Sequence, residues 1–108
     1  MAYDEGLAER IRERMADRPG VSDKKMFGGL AFLTDGRLTV CVNRDDLMVR
    51  VGPEDTGRAL TEPGARPMVM GKRTMRGWVL VDGAVLDDDV LTAWIDRATE
   101  FVSTLAPD

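Results

Sequence analysis

The stretch Lys24–Gly52, KKMFGGLAFLTDGRLTVCVNRDDLMVRVG, decides the fold. Three apolar runs are packed into it: Leu30–Leu33, Leu38–Val42 and Leu47–Val51. Asp35-Gly36 divides the first two, and Asp-Gly between apolar strands is among the strongest short-range hairpin signals. A second reversal at Asn43–Asp46 leads into Leu47–Val51. With Lys24–Phe27 as a brief first strand, the stretch predicts an antiparallel meander of three or four strands. Gly28-Gly29 interrupts it. Paired glycines in a strand pattern mark a bulge, a sharp bend or the close approach of another backbone, at a cost that packing must offset. Met26, Phe27, Gly28 and Gly29 are therefore the first candidate binding residues.

Toward the N-terminus, Asp4 to about Arg18 reads as an amphipathic helix. Leu7, Ala8, Ile11 and Met15 share one face, while Glu9, Arg10, Glu13, Arg14 and Asp17 form a solvated outer surface. Pro19-Gly20 ends it, and Val21–Asp23 is a connector. Toward the C-terminus, Pro53 with Glu54 and Asp55 suits a helix start, giving a short helix from Pro53 to about Leu60. Glu62-Pro63-Gly64 stops it. Met68–Met70 is a short strand, Gly71–Arg76 a polar loop and Trp78–Val81 a strand. A final helix follows Asp87-Asp88-Asp89, with Leu91, Trp94, Ile95, Ala98, Val102 and Leu105 on its apolar face. Helices at the ends of a mostly antiparallel run argue for an α+β fold of two layers, with helices mainly on one face of the sheet.

The 108 residues suit one domain, and 44% hydrophobic with 31% charged residues is the balance of a folded soluble protein rather than a disordered one. The opening MAYDEGLAERIRER carries acids and arginines where a signal peptide needs an apolar core. The longest apolar run is far short of the ~20 residues that span a bilayer. The chain is expected to be soluble and cytoplasmic, with no membrane partner. Its net charge of −4 is uneven: residues 19–76 hold ten bases and seven acids, residues 77–108 seven acids and one base. An acidic whole argues against indiscriminate coating of DNA, and the basic middle leaves room for a local anion site.

The absence of histidine removes the commonest general base and metal ligand, and with it Ser-His or Cys-His catalysis. Cys41 stands alone, so no intrachain disulfide or paired-cysteine zinc site forms, and its apolar strand context suggests a buried, inert thiol. Asp87-Asp88-Asp89 is explained by helix capping and the helix dipole rather than by a metal. Gly71-Lys72 fails the phosphate-loop pattern, because Arg66 stands where a glycine is needed and Arg73 where serine or threonine is needed. What remains is GKRTMRGW, a loop with three cations beside a tryptophan, whose chemistry suits a phosphate or a stacked base. Lys72, Arg73, Arg76 and Trp78 are the second candidate set. Met26, Met48, Met68, Met70 and Met75 fall in or near strands and read as core, with a partner-binding groove as the other use of such residues. Trp78 and Trp94 are expected in the core between sheet and last helix.

Four segments together resemble the TfoX N-terminal domain family: Met26-Phe27-Gly28-Gly29-Leu30, Leu47–Pro53 (LMVRVGP), Pro63–Met68 (PGARPM) and Met75-Arg76-Gly77-Trp78-Val79. Their order and spacing cover nearly the whole chain. The resemblance implies an α-β-β-β-α-β-β-α domain like the fold of some small secretion chaperones, without catalytic residues or cofactors. Better-known members are regulators of bacterial competence in which a helical second domain follows. The 108 residues are expected to be a stand-alone copy of the first domain, spanning 1–108. The resulting expectation is a non-enzymatic bacterial binding domain acting through protein–protein contacts in regulation, with a transcription regulator among the expected partners. Exposed edge strands make a homodimer a further expectation. The alternative is nucleic-acid or nucleotide binding through Lys72–Arg76.

Overall fold

The computed structural model describes residues 3–26 and 28–105. Helix α1 spans Glu5–Met15, and the Asp4 carboxylate caps it by accepting from the Leu7 N–H at 3.1 Å. Strands β1 (Val21–Met26), β2 (Gly29–Thr34), β3 (Arg37–Asn43) and β4 (Asp46–Arg50) follow. A single-turn helix α2 (Thr56–Ala59) precedes β5 (Ala65–Met70) and β6 (Arg73–Val81). After a 3-10 turn at Gly83–Val85, α3 runs from Asp88 to Ser103, capped by Asp87 through the Val90 N–H at 2.9 Å.

The six strands form one sheet in the order β1-β2-β3-β4-β6-β5, and every pairing is antiparallel. The two-layer α+β architecture is thus as expected. Four strands precede α2 where the family resemblance implied three. The additional one is β1, an edge strand whose Ser22, Asp23, Lys24 and Lys25 are all exposed. Nothing in such a run alternates, so the part up to Asp23 had read as connector. The helix expected at Pro53–Leu60 shrinks to its last turn. The larger corrections fall at the other edge. Met68–Met70 extends back to Ala65 through Pro67, which an edge strand accepts because the proline nitrogen needs no partner. Gly71–Arg76 is not a loop: Met70 pairs with Arg73, leaving Gly71-Lys72 as a two-residue turn with Gly71 at φ +63°. Its cations are strand and hairpin-tip residues, so β6 starts at Arg73 rather than Trp78.

Helices α1 and α3 cover one face, with α3 lying over β3 and β4. The core there joins Leu7, Ile11 and Met15 of α1 and Leu91, Trp94 and Ile95 of α3 to Phe32, Val40, Val49 and Val79 of the sheet. The outer face of α1 is less solvated than its sequence suggests. Arg10 and Arg14, one turn apart on α1, and Arg18, three residues past its end, reach α3: Arg10 and Arg14 meet Asp88 at 3.1 and 2.6 Å, and Arg18 meets Asp96. Arg14 also donates to Thr92 at 3.1 Å, and Arg18 to Thr99 at 3.2 Å. Asp88 is therefore more than a dipole-complementing acid. Hydrogen bonding from Arg10, then the charge of Arg14, holds its carboxyl below the ordinary carboxylate range.

A second apolar cluster lies on the opposite face of the sheet. Ala31, Leu33, Cys41, Met48 and Met68 form its centre, and Met26, Leu38, Met75, Trp78 and Leu80, all part-exposed, pack against them. Among the described residues it contains no helical side chain. Trp94 occupies the core between sheet and α3 as expected, but Trp78 belongs to this other face.

Candidate functional site

The two candidate sets lie at opposite edges of the sheet. Met26 closes β1 and pairs with Gly29, and β1 is one edge; Arg73, Arg76 and Trp78 lie on β6, whose hairpin partner β5 is the other. Phe27 lies outside the described residues. Gly28 is an exposed turn residue at φ +72° with nothing within 4 Å of the Cβ it lacks. Gly29 is buried, and a Cβ there would stand 2.0 Å from the Val42 carbonyl oxygen. The close approach expected of this pair is thus made by the neighbouring strand. Neither glycine lines the described cavities. The backbone accounts for both glycines, and Met26 adds a part-exposed side chain to the helix-free face.

Lys72, Arg73 and Arg76 are all exposed and make no ion pair among the described residues. Arg76 sits in a broad bulge of β6, where four residues from Met75 to Trp78 face the one β5 residue between Pro67 and Val69. Gly77 anchors that bulge at φ +95°, its carbonyl accepting from the N–H groups of Val51 and Gly52 at 2.9 and 3.0 Å. The Gly77 N–H donates to Thr56 Oγ1 at 3.1 Å, and that hydroxyl donates to the Gly52 carbonyl at 2.8 Å. Beside the bulge, Arg50 stands 6.0 Å from the Trp78 ring and 5.8 Å from the Phe101 ring, within cation–π reach of both.

What joins the two edges is a row across the helix-free face. In register, Lys24 stands opposite Ala31, Ala31 opposite Cys41, Cys41 opposite Met48, Met48 opposite Leu80, and Leu80 opposite Arg66. Partners in a ladder point to the same face, so four apolar residues run between two cations. Arg66 is held by Asp46 at 2.8 Å. An antiparallel sheet with one solvated face alternates apolar and polar residues. Here β2 to β4 are apolar on both faces, a signal present in the unbroken runs Leu30–Leu33 and Leu47–Val49. Cys41 lies wholly inside, and burial pushes its thiol up to about 11, so it is the inert residue expected.

A cavity of about 230 Å³ lies between the 3-10 turn and α3, lined by Pro63, Val85, Val90, Ala93 and Trp94 with Glu62 and Arg97 on its rim. Its cation is already engaged: Arg97 meets Asp55 at 2.8 Å and Glu62 at 3.3 Å and lies 5.2 Å from the Trp94 ring. The hydrogen bond to Asp55 leads the effects that raise its pKa. It is a clamp between α2 and α3 rather than a free anion receptor.

Among the described residues no group of three or more acidic, cysteine or histidine side chains is placed to hold a metal ion. No helix among them is long and apolar enough to cross a membrane. Comparison with curated proteins and with solved structures returned no match. Residues 13–102 match the model of the TfoX N-terminal domain, a family without catalytic function. That match spans α1 from Glu13 through most of α3, taking in both faces of the sheet, and the chain belongs to the TfoX N-terminal domain family.

Proposed function

We propose that this domain is a protein-binding module of bacterial regulation, working through the helix-free face of its sheet. The observation that carries the reading is the cover of that face: among the described residues, buried Ala31, Cys41 and Met48 are overlaid there by the part-exposed apolar side chains of Met26, Leu38, Met75, Trp78 and Leu80 and by no helix. Among these, Met26 and Met75 are the polarizable, adaptable side chains that suit a partner surface. The free edges are poorer places for a second copy. β1 carries exposed Lys24 and Lys25, and β5 carries Arg66 and Pro67, residue types that blunt edge-to-edge pairing. The test is a photo-crosslinking amino acid at Leu80, on the helix-free face, or at Asp89, at the exposed start of α3, in native cells. A discrete protein adduct at Leu80 and none at Asp89 is expected. No adduct at Leu80, or the same adduct at both, overturns the reading.

The second reading, nucleic-acid or nucleotide binding, is favoured by Lys72, Arg73 and Arg76, exposed at one hairpin and without an ion pair among the described residues. It requires salt-sensitive binding of an oligonucleotide or nucleotide that weakens when the three are reversed to Glu. Absence of any binding at low salt removes it.

A further inference from the structure

We propose, beyond the protein-binding reading and resting on the nucleic-acid reading, that the tip of the β5–β6 hairpin enters the major groove of a DNA duplex. Three observations carry this: how charge is divided along the chain, what the tip leaves exposed, and how many strands the sheet has there.

From Pro63 to Val81 the sequence holds Arg66, Lys72, Arg73 and Arg76 and no acid, so that stretch carries +4 and the rest of the chain −8. Arg66 is tied to Asp46 at 2.8 Å. Lys72, Arg73 and Arg76 make no ion pair among the described residues. Val69 to Thr74 are exposed without a break. Val69 and Met70 are also the two large apolar side chains that the described residues leave exposed. Strand β6 pairs with β4 from Trp78 to Val81, so at the pairs Val69–Thr74 and Met70–Arg73 the sheet has narrowed to a ribbon of two strands.

The major groove of DNA, about 12 Å wide, admits a two-stranded ribbon, because strands ~4.8 Å apart leave room in it for their side chains. A third strand would not fit. Successive residues of a strand point to opposite faces, so one face of the tip offers Val69 with Thr74 and the other Met70 with Arg73. Lys72 at the turn, with Arg73 and Arg76 on β6, meets phosphates. The Val69 methyls and the Thr74 hydroxyl meet base edges, which present thymine methyls and hydrogen-bonding groups in that groove. A single strand is held by stacking on exposed aromatic rings. Val69 to Thr74 include none, and Trp78 is part-buried with Arg50 6.0 Å from its ring. Duplex RNA has a major groove too deep and narrow for side chains to read. A bilayer would meet Lys72 first, with the apolar pair behind it. Phosphate repels the acidic remainder of the chain, which confines contact to the tip.

The probe is a dye-labelled DNA duplex of about 16 base pairs, roughly one and a half turns, titrated with the full chain and read by fluorescence anisotropy at low salt. The duplex is expected to bind at least about tenfold more tightly than either of its single strands. Three phosphate contacts give log affinity against log salt a slope of about −2.7. Lys72→Gln with Arg73→Gln should bring that slope to about −0.9 and weaken binding at least about tenfold. Lys24→Gln with Lys25→Gln makes the same change of charge at the opposite edge of the sheet and should alter neither. Val69→Ser with Met70→Ser should weaken binding about threefold to tenfold at an unchanged slope. Circular dichroism confirms the fold of each variant. Equal effects of the two charge variants, an inert Val69–Met70 variant, or displacement of the duplex by polyglutamate at equal charge overturns the proposal. Single strands that bind as tightly as the duplex overturn the groove and leave the nucleic-acid reading standing. Absence of binding to both overturns the two together.

Discussion

Two adjacent glycines show how differently one residue type is used. Gly28 supplies positive φ at an open turn, whereas Gly29 supplies room, because the Val42 carbonyl oxygen occupies the place of its Cβ. Gly28→Ala meets only the left-handed backbone penalty and should cost about 1 kcal/mol. Gly29→Ala must move a paired strand and should cost about 2–4 kcal/mol, the range of overpacked or strained core positions. Urea melts of the two variants measure this, and equal losses would show that β3 yields to the added methyl. Asp88 offers a second test at this scale. Arg10 and Arg14 hold its carboxyl below the ordinary range, so it favours folding above the unfolded value of about 3.9 and loses that contribution as pH falls through its lower folded value. Asp88→Asn should therefore melt below the wild type near neutral pH, and the gap should close in acid. A gap independent of pH would assign the effect to packing or capping instead.

At the scale of elements, one hydroxyl ties the start of α2 into the junction of β4 and β6. Thr56 Oγ1 accepts from the Gly77 N–H and donates to the Gly52 carbonyl. Thr56→Val keeps the shape and leaves the Gly77 donor without this partner, a loss of about 1–3 kcal/mol. Equilibrium unfolding measures it, and a neutral variant would mean that water replaces the hydroxyl. The same region explains what the sequence could and could not disclose. The meander from Leu30 to Val51 was legible because its apolar runs and Asp35-Gly36 turn are local signals. So was α3, through its 3.6-residue period and acidic start. The β5–β6 hairpin was not, since Pro63–Pro67 is written in turn residues and Lys72, Arg73 and Arg76 look like loop. An edge strand tolerates both proline and charge, so local chemistry there does not separate strand from loop. Arg10, Arg14 and Arg18 were likewise legible as charges but not as partners of Asp88 and Asp96. The candidate surface was half legible. Met26, Arg73 and Trp78 stood out singly, but the row from Lys24 to Arg66 exists only through the register of all six strands.

At the scale of the whole molecule, the sheet separates two cores that differ in their cover. One is closed between α1, α3 and the strands; the other is closed only by part-exposed side chains of its own face, among the described residues. Two leucines compare them with the chemistry held constant. Leu91, on the inner face of α3, is fully buried, while Leu33 sits in the second cluster with 9% exposure. Removing a leucine side chain forfeits its transfer free energy and adds a term for whatever cavity remains, in a range of about 2–5 kcal/mol. Around Leu91 the Arg10, Arg14 and Arg18 contacts hold α1 and α3 together over the sheet, so the cavity should persist and the cost lie near 4 kcal/mol. Around Leu33 the flexible Met26 and its neighbours can close in and water can enter, so the cost should lie near 2 kcal/mol. Chemical denaturation of Leu91→Ala and Leu33→Ala measures the difference. If the two variants lose the same stability, the second cluster is packed as firmly as the first and its face is a poorer candidate for a partner surface. If Leu33→Ala is the milder, the part-exposed side chains of that face yield where the helix-covered core does not, which is how a surface that repacks around a partner behaves.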